Sequence, residues 1–100
     1  MRPFQFQVNY KRVYAKTIDL LRDRGLKLIS HNHNTGLIEA SRRKTFLRAG
    51  LIVNIIIKKQ NEFSTEITVN AVPQPHWLRM SPKKAYRFEK SIIGTLEDRL

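Results

Sequence analysis

One hundred residues make one layered core and leave no room for a catalytic domain joined to a regulatory one. Cysteine is absent, which excludes disulfides, thiolate metal ligands and thiol nucleophiles. Lys and Arg number 19 against 8 Asp and Glu, and the resulting charge of +11 attracts polyanions through its long-range field.

The most apolar run, Leu51 to Ile57, is far shorter than the roughly 20 residues of a membrane-spanning helix. Phe4-Gln5-Phe6-Gln7-Val8 alternates, unlike the continuous apolar stretch of a signal peptide, so the expected location is the cytoplasm.

Residues Phe4 to Asn9 have the period of a half-buried strand, with Phe4, Phe6 and Val8 inward and Gln5, Gln7 and Asn9 outward. Asn9 then reads as a helix N-cap. Behind it Tyr10, Tyr14, Thr17 and Leu21 form an apolar stripe flanked by Val13, Ile18 and Leu20, opposite Lys11, Arg12, Lys16, Asp19 and Asp23. Gly25 closes this helix. Leu26 to His31 and Leu37 to Ser41 read as a hairpin around Asn32-His33-Asn34-Thr35-Gly36. A basic connection, Arg42 to Gly50, leads into a strand from Leu51 to Lys59 and a turn at Gln60-Asn61-Glu62. In the next strand Phe63, Thr65, Ile67, Val69 and Ala71 face one way, and Ser64, Glu66, Thr68 and Asn70 the other. Pro73 and Pro75 argue against further central pairing. Ser81-Pro82 opens a last helix, which sets Ala85, Phe88, Ile92 and Leu96 against Lys83, Arg87 and Lys90.

The predicted fold is a single α+β domain over residues 1–100, in the order β-α-β-β-β-β-α. Each helix has one stripe to bury, so both are expected on one face of a mostly antiparallel sheet of about five strands. Within roughly the first 40 residues, Tyr10, Val13, Ile18, Leu21, Gly25, Leu28-Ile29, Asn34, Gly36, Ile38 and Ala40 carry a resemblance. The pattern resembles the small helix-grip domains of bacterial envelope lipoproteins of the outer-membrane assembly lipoprotein C type. That resemblance implies an interaction or scaffolding module and brings no catalytic residues with it. Unlike those lipoproteins, the sequence carries no lipid-bearing cysteine.

No catalytic constellation is legible. His31 and His33 would share one side of an extended segment, a geometry that can grip a metal, but no cysteine or nearby carboxylate completes a site. They read as part of a polar turn, and neither a metal nor a cofactor is expected. The four glycines do not cluster into a phosphate-cradling loop, and no nucleophile elbow is present.

Two stretches are candidates for binding. Arg42, Arg43, Lys44, Phe46 and Arg48 combine positive charge with an aromatic ring, which suits an anionic membrane surface or nucleic acid. The alternative is that Phe46 and Leu47 fold back into the core and leave a solvated basic turn. On the sheet face away from the helices, Ile29, Leu37, Ile52 and Ile56 would form an apolar strip among Gln5, Gln7, Glu66 and Thr68. Such a strip suits a protein partner or self-association, unless the loop carrying Trp77 covers it. Trp77 itself either closes over a core edge or joins the contact. The reading is a non-catalytic binding or scaffold module acting through protein–protein contact. Its alternative is salt-sensitive binding to nucleic acid or anionic lipid.

Overall fold

Alternating strands and one-sided helices can share a core only if all their apolar faces converge, and they do. The computed structural model describes residues 3–43, 50–74 and 82–100. Its elements are β1 (Phe4–Phe6), α1 (Tyr10–Asp23), β2 (Lys27–Asn32), β3 (Leu37–Arg42), β4 (Gly50–Asn61), β5 (Ser64–Gln74) and α2 (Pro82–Arg99). The five strands form one sheet in the order β1-β5-β4-β3-β2, with antiparallel pairing throughout. The predicted α+β architecture is the observed one.

Local chemistry sets the ends of α1. Asn9 is extended, and its Oδ1 accepts the Arg12 N–H at 2.9 Å, satisfying one free amide of the first turn. At the other end Gly25 adopts φ +77°. Its N–H donates to the Arg22 carbonyl, while the Leu26 N–H donates to the Leu21 carbonyl, both at 3.0 Å. This paired closure brings Leu26 onto Leu21, and both side chains are buried.

One face of the sheet supplies Phe6, Ile38, Ala40, Leu51, Val53, Ile55, Ile57, Ile67 and Val69 to the core. The helices meet it with Val13, Tyr14, Ile18, Leu20 and Leu21 from α1 and Ile92, Ile93 and Leu96 from α2. Phe88 was expected on this stripe but is only partly buried; its ring lies at the margin, with the Arg42 guanidinium 5.8 Å from its centre. The C-terminal ends of the two helices are tied together. Arg24 donates to Thr95 Oγ1 at 2.7 Å, and Arg99 pairs with Asp23 at 2.7 Å.

Three local departures from simple alternation have physical causes. Asn61 Oδ1 accepts the Phe63 N–H at 2.8 Å, which moves the β4–β5 turn one step along. Phe63 therefore sits on the turn, 74% exposed, rather than at the start of the inward row. Pro73 does not end its strand: it stands opposite Leu51 in the ladder. Two residues earlier the Ala71 N–H faces the outer edge of β5, so proline at that parity sacrifices no donor to β4. The Ala71 N–H is bonded there by the buried Glu89 carboxylate of α2, at 2.9 Å. Finally, a bulge between Leu28 and Ser30 adds one residue to β2. Leu28 opposes Ala40 and His31 opposes Ile38, so both belong to the helix side, while Ile29 is left outside the core.

Candidate functional site

The sheet face opposite the helices carries the expected apolar strip. Ile29 is 52% exposed, Leu37 51%, and Val72 43%, while Ile52 and Ile56 are half-buried. Register shows how they meet. Leu37 stands opposite Ile56, and Ile52 opposite Val72. Between these rungs lies a polar one, Glu39-Asn54-Asn70. Towards β1 the face turns polar, with Gln5 opposite Glu66 and Gln60 bonded to Glu66 at 2.8 Å. The outcome is a two-rung apolar surface with a hydrophilic border. It can exclude water against a complementary surface. Val72 is the member that sequence reasoning missed. The signal was available: continuing the alternation past Ala71 puts residue 72 outward, but the prolines discouraged it. Trp77 lies outside the described residues.

At the far end of β3, the basic stretch divides. Arg42 is the last residue of the strand and half-buried against Phe88, whereas Arg43 just beyond it is exposed. Lys44, Phe46 and Arg48 lie outside the described residues. Arg42, Phe88, Asp23 and Arg24 line a cleft of about 370 Å³. Burial and the neighbouring Arg99 both lower the pKa of Arg24 from its ordinary value.

The opposite end of the sheet holds a cluster that the sequence did not announce. The Tyr10 hydroxyl donates to the His33 carbonyl at 2.6 Å, and the Tyr14 hydroxyl lies 3.2 Å from His31 Nδ1. The Tyr10 and Tyr14 rings stack at 6.0 Å, and the His33 ring meets both edge-on at 5.4 and 5.0 Å. Burial raises the pKa of Tyr14, and burial together with Tyr14 raises that of Tyr10, so both remain protonated at neutral pH. The two histidines are thus held by tyrosines rather than turned together towards a metal. Among the described residues no group of three His, Asp or Glu could hold a metal ion.

Gly36 locks this corner. It has φ +74°, its N–H donates to the Asn32 carbonyl at 2.8 Å, and its carbonyl accepts the Ile57 N–H at 2.9 Å. A cleft of about 390 Å³ opens beside it, lined by Asn9, Tyr10, Lys11, His33, Lys59 and Glu62.

No known family model matches this chain, and no curated protein matches it either. No helix among the described residues is long and apolar enough to cross a membrane.

Proposed function

We propose that the domain is a non-catalytic binding module that docks an acidic protein surface on its open sheet face. The observation that carries this reading is the exposure of Ile29, Leu37 and Val72 on the face opposite both helices. Leaving such side chains in water forgoes about 25 cal/mol for each Å² that a partner would cover. The net charge of +11 favours an acidic partner over a second copy, since two such chains repel at long range. The helix-grip resemblance of the first part of the chain points to the same class of role. The charge also supports a second reading, salt-sensitive contact with polyanions through Arg42 and Arg43.

The test is a partner search with wild type and a Leu37→Lys/Val72→Lys variant, followed by amide-shift mapping with each purified partner. Both side chains are exposed, so the variant should keep wild-type stability to within about 0.5 kcal/mol while losing its partner. Sedimentation of the wild type should give a monomer. A dimer dispersed by the same variant would replace the acidic partner with a second copy, and shifts confined to other surfaces would sink the proposal.

A further inference from the structure

The cleft between the first turn of α1, the β2–β3 loop and the β4–β5 turn has a chemistry of its own. Its volume of about 390 Å³ falls in the range of roughly 300–1,000 Å³ common for small-ligand sites. Its aromatic wall is fixed in advance. Tyr10 is held by its hydrogen bond to the His33 carbonyl and backed by Tyr14, and the His33 ring abuts it edge-on. Lys11 and Lys59 both line the same space, and among the described residues neither is in an ion pair. Among the described residues Glu62 is the one carboxylate lining it. Beside Glu62, on the same turn, the Phe63 ring is 74% exposed while its N–H is tied to Asn61.

A neutral planar ring would have no use for two cations, and a bare anion would have no use for an aromatic wall. A ligand that needs both carries a phosphate and a flat ring in one unit. We infer that this cleft binds a nucleotide unit: Lys11 and Lys59 face its phosphate, Tyr10 and His33 its base, and Glu62 accepts from a sugar hydroxyl or base amino group. Ring stacking of this kind tolerates any base, so the site reads nucleotide chemistry rather than sequence. The unit could be a free nucleotide or one residue of a single strand. In the latter case Phe63 is placed to stack on the next base. The site is independent of the open sheet face.

Amide-shift titrations with adenosine monophosphate, adenosine, inorganic phosphate and an adenylate hexamer test this directly. Adenosine monophosphate or the hexamer should move the resonances of Lys11, His33 and Lys59, with adenosine and phosphate binding at least about tenfold more weakly. Lys59→Glu should weaken binding about tenfold. Arg87→Glu, an equal change of charge on the exposed side of α2, should leave it within about twofold. A hexamer that binds much more tightly than the mononucleotide identifies a single strand as the source, and equal affinities identify the free nucleotide. Silence of the three resonances towards both probes overturns the inference. So does phosphate binding as tightly as the nucleotide, or equal losses from the two charge reversals.

Discussion

Gly36 meets two demands at once, and Gly25 meets only one of them. Both have positive φ, at +74° and +77°, a region that costs an L-residue roughly 1 kcal/mol. Around Gly25 a side chain would find open space, whereas a Cβ on Gly36 would run into the Ile57 carbonyl and come within 3.0 Å of the Tyr10 hydroxyl. Gly25→Ala should therefore cost about 1 kcal/mol and Gly36→Ala about 3 kcal/mol, read from denaturant midpoints. Equal losses would mean that the β2–β3 loop shifts freely off β4. Sequence placed both glycines at chain reversals, because Gly25 follows a helical stripe and Gly36 ends a run of turn formers. The clash at Gly36 was not legible, since it depends on a residue 21 positions away, brought there by the ladder. The histidines show the same limit. Period-two counting puts Ile29 and His31 on one side, and only the bulge separates them.

At the scale of elements, helix stripes were the most legible feature, because a period near 3.6 survives whatever the helix packs against. All six buried residues of α1 lie on or beside the predicted stripe. For α2 the stripe was right, but its deepest point was set by where the helix crosses β5 and α1, which periodicity cannot supply. Ile92 and Leu96 are fully buried and Phe88 is at the rim. Leu96→Ala should thus cost about 2–5 kcal/mol, and Phe88→Ala nearer 2 kcal/mol despite its larger side chain. Thermal or denaturant unfolding of the two variants checks the order, and a greater loss at Phe88 would contradict the packing described. The open face was legible at Ile29 and Leu37 because alternation alone exposes them. The tyrosine–histidine cleft was not, because it gathers residues from three separate chain segments.

The whole molecule carries +11, and that charge makes a prediction whichever surface binds. Affinity for double-stranded DNA should fall linearly with the logarithm of salt concentration, by a slope of about one for each phosphate neutralised. Arg43→Glu combined with Lys44→Glu should reduce that slope by about two units in a fluorescence-anisotropy titration. An unchanged slope would remove the basic stretch from the contact. Shape adds a further constraint through the two borders of the sheet. On one side β1 is three residues long, and past its end Glu89 occupies the Ala71 amide. On the other side β2 presents six residues. Short or plugged borders resist the addition of a foreign strand. Among the described residues, lateral growth of such a sheet would have a single usable border in each copy. Two copies joined along β2 would consume both borders, so polymerisation by strand addition would stop at the pair and could not run on into a fibril.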